Sequence, residues 1–207
     1  MEKITRSSRA TDKEGLCIIA GKLVWSVTVT LHLLNDDGNC FDAFFLAAVL
    51  ALKNTRLPEV TMTRDRILIN DEKLRYLNVH HLPICTTFYY IKDVETPILD
   101  VNAKEERLCS SRLSIVMNAY EDICGMTTLG SLELEQAQVF ENMKVALAKT
   151  KYITSIIRER WEHKDQIFSL LDESRPQVAS KSNFIQDLNQ EMELNRATHP
   201  SNEDAQE

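Results

Sequence analysis

Residues 15–25 read Gly-Leu-Cys-Ile-Ile-Ala-Gly-Lys-Leu-Val-Trp, and residues 33–42 read Leu-Leu-Asn-Asp-Asp-Gly-Asn-Cys-Phe-Asp. The first stretch holds a short apolar run, Leu16 to Ala20, and then the turn pair Gly21-Lys22. From Val24 to Leu34 the chain is rich in β-branched residues, which pack well on a pleated surface. This pattern predicts two strands of a hairpin. Along the second strand Trp25, Val27, Val29, Leu31 and Leu33 share one face, and Ser26, Thr28, Thr30 and His32 share the other, because strand side chains alternate. Asn35-Asp36-Asp37-Gly38-Asn39 then makes a dense turn cluster. It opens onto Cys40 to Lys53, which is apolar nearly all round and so predicts a helix buried on most sides. Asn39 or Asp42 is expected to cap its first turn.

Working outward, Leu57-Pro58-Glu59 ends that element, and short strands are expected over 60–63 and 66–69. Leu77 to Ile91 is a further strand region, broken at Pro83. Strands over 98–101 and 113–117 follow, with the polar stretch Asn102 to Arg112 between them as a loop or short helical turn. A last strand is expected over 120–126. Leu132 to Leu171 carries apolar residues at a drifting spacing of three and four, the mark of a long helix. The architecture expected is α+β: strands, a buried helix, strands, then a long helix.

The two opening stretches resemble the second half of an RNase PH domain. More narrowly, they resemble the RNase PH-like ring subunits of the eukaryotic RNA exosome. Ala51-Leu52-Lys53-Asn54-Thr55-Arg56-Leu57-Pro58-Glu59-Val60 and Tyr76-Leu77-Asn78-Val79 are similar to the component 8 branch of that family, the ribosomal RNA-processing protein 43 type. The Cys-Ile-Ile-Ala-Gly and Asp-Gly-Asn elements are shared with the protein 45 type, the second choice. The resemblance runs from about Thr5 to Leu171. It implies the C-terminal portion of an RNase PH-like domain, with a ribosomal protein S5 domain 2-like β-α-β fold, a mixed sheet and a long C-terminal helix. The first half of the family domain is expected to be missing. Residues 1–171 are then a partial RNase PH-like domain, and 172–207 an acidic, largely disordered tail.

The resemblance also says where chemistry would sit. Phosphorolytic family members hold phosphate partly with a Gly-Gly-Thr-Arg segment, matched here by Gly38-Asn39-Cys40-Phe41. A phenyl ring cannot replace a guanidinium as a phosphate ligand. Active members carry a Leu-Asp-Leu-Asp-Tyr-x-Glu-Asp segment and a further Asp six residues on. The match is Leu99-Asp100-Val101-Asn102-Ala103-Lys104-Glu105-Glu106, with Arg112 at the last acid's place. Arg112 brings a positive charge where a carboxylate would bind metal. On a preceding strand, Thr30 and His32 stand where the family has acids, and neither is a hard anionic ligand for magnesium. The resemblance therefore implies no catalytic residue, no metal site and no cofactor in this chain, and it assigns no RNA-binding residue.

Other candidates have plainer readings. Glu105-Glu106-Arg107 is expected as a solvated, salt-bridged loop rather than a catalytic cluster. His80 and His81 are neighbours on an extended chain and point to opposite faces, which disfavours a shared metal. The face of Ile157 and Trp161 is either core packing or a partner-docking stripe. Arg56, Arg64, Arg66 and Arg75 are either dispersed surface charge or an RNA-contacting patch.

Composition sets the outer limits. The chain has 207 residues, 43% of them hydrophobic, enough for one domain with or without a tail. The net charge of −7 argues against tight non-specific binding of nucleic acid by this chain alone. From Asp172 onward eight acids stand against three bases, so the body is close to neutral. Five cysteines, an odd number at wide spacings, predict reduced and mostly buried thiols in an intracellular protein. The N-terminus is not a secretory signal, and Ala43 to Leu52 is too short to span a membrane.

The function implied is a non-catalytic structural subunit of the exosome ring. It would help form the channel that delivers RNA for 3′-to-5′ processing and decay, including ribosomal RNA maturation and mRNA turnover. The partners implied are other RNase PH-like ring subunits, cap subunits and single-stranded RNA in the assembled channel, with no membrane, in the nucleus, nucleolus and cytoplasm. A divergent phosphate-dependent 3′-to-5′ exoribonuclease is the alternative.

Overall fold

The computed structural model describes residues 8–162, apart from 64–65, 93, 95, 132–133 and the side chains at 62–63, 66–67, 71–72 and 162. Strands β1 (Cys17–Ile19) and β2 (Leu23–Val24) form the expected small antiparallel hairpin, Cys17 opposite Val24. Gly21 turns the chain with φ +74°, a conformation that costs glycine little. The second strand ends at Val24, ten residues short of the expected Leu34. Residues 25–33 are free of turns and helix but pair with no strand among the described residues. Their β-branched composition favours an extended backbone, yet a strand exists only where a neighbour takes up its N–H and C=O groups.

Helix α1 (Cys40–Asn54) forms as its apolar run predicts, with Phe45, Ala48 and Val49 buried. Its N-terminus differs from expectation. Asn39 sits in the capping position in a left-handed conformation, φ 48°, and its side chain makes no cap hydrogen bond. Asp42 does not cap either, since its carboxylate is committed to the sheet. The helix ends where Thr55 donates its hydroxyl to the Ala51 carbonyl at 2.8 Å.

Strands β3 (Arg56–Thr63) and β4 (Arg66–Tyr76) form a two-stranded sheet longer than the short strands expected. Pro58 is tolerated within β3 because a two-stranded sheet leaves each strand an open edge. The chain divides into two compact units, one holding the residues up to Leu57 with Arg75–Glu162, while the arm Pro58–Leu74 belongs to the other.

The core lies on a four-stranded sheet in the order β6-β5-β7-β8, antiparallel at every pair. Strand β5 (Ile84–Ile91) is buried from Ile84 through Tyr90 and forms the sheet's most enclosed strand. Thr87 and Tyr89 point toward α1, and Phe88 and Tyr90 point the other way, the alternation a strand imposes. Strand β6 is only Ile98–Leu99. Strand β7 (Cys109–Met117) begins four residues before the expected Leu113, because Ser111 and Arg112 pair with Tyr90 and Tyr89. Strand β8 (Ile123–Leu129) starts later than expected, and Tyr120 is exposed before it.

The expected loop between β6 and β7 contains one turn of helix, α2 (Ala103–Glu106). Asn102 and Glu105 cap it reciprocally, the Asn102 side chain accepting from the Glu105 N–H at 3.0 Å and Glu105 accepting from the Asn102 N–H at 2.9 Å. Asn102→Ala is expected to lower stability by about 1 kcal/mol, checked by the urea midpoint of unfolding.

Helix α3 (Gln136–Glu162) covers the sheet through Ala146, Thr150, Thr154 and Ile157, a helical spacing of four, four and three. Ile157 is buried in the core cluster with Phe45 and Val116, and the Lys53 ammonium lies 4.9 Å from the centre of the Trp161 ring. That face packs inward, and the docking-stripe reading is dropped. The expected continuation of this helix to Leu171 and the tail 172–207 lie outside the described residues. No described helix is long and apolar enough to cross a membrane. All five cysteines are free, but only Cys85 is buried and Cys17 is exposed, so the expectation of mostly buried thiols is corrected.

Candidate functional site

The turn before α1 brings its residues to the ends of β5, β6 and β7. Gly38 adopts φ +90° and lies against the backbone at Val101 and Asn102. That approach presents Asn39 to the region of Glu106, 67 residues away in sequence. The Asn39 N–H donates to Glu106 Oε2 at 3.2 Å. Its side-chain amide donates to Asp42 at 3.3 Å and Asp100 at 3.4 Å, and its carbonyl oxygen accepts from the Tyr89 hydroxyl at 3.3 Å. One buried amide thus joins two carboxylates and a phenol, supplying a neutral donor between negative groups.

Glu106 and Arg112, expected as a broken pair of acids, lie side by side. Arg112 Nη1 is 3.4 Å from Glu106 Oε1, and both side chains are about one-third exposed. The single Tyr89 hydroxyl proton is shared between the Asn39 carbonyl oxygen and this carboxylate, each at 3.3 Å. Three donors therefore meet the two oxygens of Glu106. Of the solvated, salt-bridged loop expected here, the salt bridge is present, but Glu106 is half-buried rather than fully solvated, because strand pairing of Arg112 with Tyr89 draws the guanidinium and the phenol to it. Burial pushes the Tyr89 phenol well above its ordinary pKa, and the charge of Glu106 adds to this while Arg112 opposes it. Tyr89 is therefore a neutral hydrogen-bond donor at physiological pH. A cavity of about 220 Å³ opens here, lined in part by Tyr89, Glu106, Cys109, Ser111, Arg112 and Gly130.

Of the residues matched to a phosphate site, Gly38 and Asn39 belong to this cluster, while Cys40 and Phe41 face elsewhere. Cys40 Sγ donates to Asp36 Oδ1 at 3.0 Å, and that bond, with burial and the charges of Asp36 and Glu106, holds the thiol protonated. The Phe41 ring lies 6.4 Å from Phe45, tilted 55°, and packs against the core. Thr30 and His32 are both exposed, and no hydrogen bond or ion pair among the described residues joins them to Glu106.

A second polar centre lies on the same side of the sheet. Asp42 accepts from the Thr87 N–H at 3.0 Å and the Thr87 hydroxyl at 2.6 Å, and Lys149 of α3 reaches it at 3.4 Å. Thr87 and Ser114 share a further hydrogen bond at 2.9 Å. Tyr89, Thr87 and Lys149 carry no motif that singles them out in sequence, whereas Asp100 and Glu106 lie in the segment matched to the family's acids and Asp42 is a candidate helix cap.

The remaining candidates separate. The His81 ring nitrogen Nε2 bonds the Ser8 carbonyl oxygen at 2.8 Å, while His80 is exposed. Among the described residues no group of three or more His, Cys, Asp or Glu is placed to hold a metal ion. Arg56 stacks over the Tyr76 ring at 4.9 Å, and Arg75 donates to the Gly15 carbonyl at 2.6 Å. Both side chains are exposed. Arg64 and the side chain of Arg66 lie outside the described residues.

Comparison with known proteins agrees with this frame. Residues 2–58 match the 3′ exoribonuclease family, domain 1, and residues 81–149 match the 3′ exoribonuclease family, domain 2, together more than half of the chain. The family boundary falls within the stretch expected as one partial domain. The chain is 36% identical over 170 residues to the human exosome complex component RRP45, covering 81% of this chain and 39% of that protein. It is 32% identical over 191 residues to Arabidopsis thaliana exosome complex component RRP45A, covering 89% and 62%. The chain thus spans about two-fifths of the length of its mammalian relatives. Those relatives are of the RRP45 type, so the comparisons do not support the component 8 expectation. Among solved structures, a chain of the Archaeoglobus fulgidus exosome with RNA bound to the active site superposes with TM-score 0.64 at 26% identity, covering 75% of this chain and 58% of that one.

Proposed function

The chain belongs to the RNase PH-like 3′ exoribonuclease family, and we propose that it acts as a non-catalytic, RRP45-type structural subunit of an exosome ring. The observation that carries this reading is the Arg112–Glu106 pair. Where the resemblance expects two acids to share a metal, a guanidinium instead satisfies the remaining carboxylate. Phosphorolysis needs a phosphate held beside the scissile bond and a cation or proton donor to take up developing charge. Here Phe41 is packed against Phe45, the Cys40 thiol is turned to Asp36, and Glu106 already meets three donors.

The role that remains is assembly: other RNase PH-like subunits as neighbours, cap subunits above them, and single-stranded RNA in the channel they enclose. The processes are ribosomal RNA maturation and mRNA turnover, in the nucleus, the nucleolus and the cytoplasm. Co-expression with the other ring subunits tests this. The chain is expected to co-purify with them in stoichiometric amount and, purified, to release no nucleoside diphosphate from RNA in the presence of phosphate. Phosphate-dependent release that is lost in Glu106→Gln would favour the exoribonuclease reading instead.

A further inference from the structure

We propose that the Tyr89 hydroxyl is a two-position switch, coupling Arg112 at the cavity to the Lys149–Asp42 contact that ties α3 to α1. The phenol has one proton to donate and faces two acceptors at the same distance. One is the Asn39 carbonyl oxygen and the other is Glu106 Oε1, each at 3.3 Å. Arg112 contacts that same Glu106 oxygen at 3.4 Å, so the guanidinium and the phenol compete for it. The other end repeats the arrangement. The Asn39 amide nitrogen donates to Asp42 Oδ2 at 3.3 Å, and Lys149 reaches the same oxygen at 3.4 Å. An unbroken chain of contacts therefore runs from Arg112 through Glu106, Tyr89, Asn39 and Asp42 to Lys149.

Charge sets the position of the switch. With Arg112 on Glu106, Oε1 is neutralised and the Tyr89 proton lies with Asn39. A hydrogen bond to an amide carbonyl polarises the amide and strengthens its own N–H donation, by about 10–30% per bond. Asn39 then shares with Lys149 the work of satisfying Asp42. Arg112 is about one-third exposed and lines the cavity of about 220 Å³, so an acidic group entering there can draw it away. Glu106 is then an uncompensated anion, and hydrogen bonds to ionised acceptors are roughly twice as strong as neutral ones. The Tyr89 proton moves to Glu106. Asn39 is only 7% exposed, so its carbonyl loses a donor that water does not readily replace, and its hold on Asp42 weakens. Lys149 is left to carry more of the Asp42 charge. Coupling between distant sites needs an element with two discrete arrangements that both ends bias, and the shared proton is such an element.

Urea unfolding of Arg112→Gln, Lys149→Met and the double variant measures the coupling. With Tyr89 present, Lys149→Met is expected to lower the folding equilibrium constant by at least about twofold more when Arg112 is also replaced. The same cycle is then run in Tyr89→Phe, which removes the proton, and in Glu106→Gln, which removes the charge that draws it. In both backgrounds the two losses are expected to be independent. Glu106 is on the surface, so the second background decides the matter where the first does not fold. Independent losses in the Tyr89 chain would overturn the proposal. So would an excess that survives Glu106→Gln or Tyr89→Phe, because it would then come from repulsion between the two cations acting through space.

Discussion

Asp42→Ala is expected to lower the stability of the fold by about 2–4 kcal/mol, because it strands two buried donors on Thr87 and removes the counter-charge of the partly exposed Lys149. The Asp42 side chain is 10% exposed and that of Lys149 31%. The carboxylate also holds the Thr87 N–H and hydroxyl, both in the buried centre of β5. Alanine leaves an ammonium without its counter-charge and a strand N–H without an acceptor. An unsatisfied buried group costs about 1–3 kcal/mol by itself. Urea unfolding of Asp42→Ala, Lys149→Met and the double variant checks this. The double variant should lose less than the sum of the two single losses, since it leaves no unpaired charge. Additive losses would show that Asp42 and Lys149 are not coupled.

Gly38→Ala is expected to cost about 2–4 kcal/mol, combining strain at a left-handed backbone with a steric conflict. A Cβ at this position would lie 2.4 Å from the Val101 carbonyl oxygen and 2.6 Å from the Asn102 carbonyl carbon. Those are backbone atoms and cannot rotate aside, so the turn or the start of α2 must move. Either shift withdraws the Asn39 N–H from Glu106 and loosens the contact with Arg112. The measurement is the unfolding midpoint together with hydrogen exchange at Asn39 and Asn102, both expected to quicken. A variant with wild-type stability and unchanged exchange would show that this approach is not structurally required. Gly21→Ala is the comparison: its φ is also positive, but no atom lies within 4 Å of the added Cβ, so its loss should be the smaller.

Local patterns in the chain foretold several elements. The unbroken apolar run from Cys40 specifies α1, the buried run at Ile84–Tyr90 specifies β5, and the three-to-four spacing beyond Leu132 specifies α3. Each signal lies in neighbouring residues, where the period of side-chain burial reports the backbone directly. Residues 25–34 show the limit of that logic. Their strand character is written in Val27, Thr28, Val29 and Thr30, but pairing depends on a distant neighbour that local composition does not contain.

The site divides in the same way. Register in the sequence was enough to align Glu106 and Arg112 with expected acids and to show Phe41 where a guanidinium was expected. It could not show that Arg112 closes onto Glu106, that Phe41 turns onto Phe45, or that Asn39 bridges Asp42 and Asp100 instead of capping α1. The sequence by itself determined the α+β element types and the Asp-Gly-Asn turn, because residue identity and short-range periodicity settle those; that Arg112 and Phe41 stand where other groups are expected is what the family resemblance implies. Only the tertiary structure decided what the substituted residues now do. Contacts around the site span up to 107 residues, as from Asp42 to Lys149, and form only when packing of the sheet and helices closes those loops.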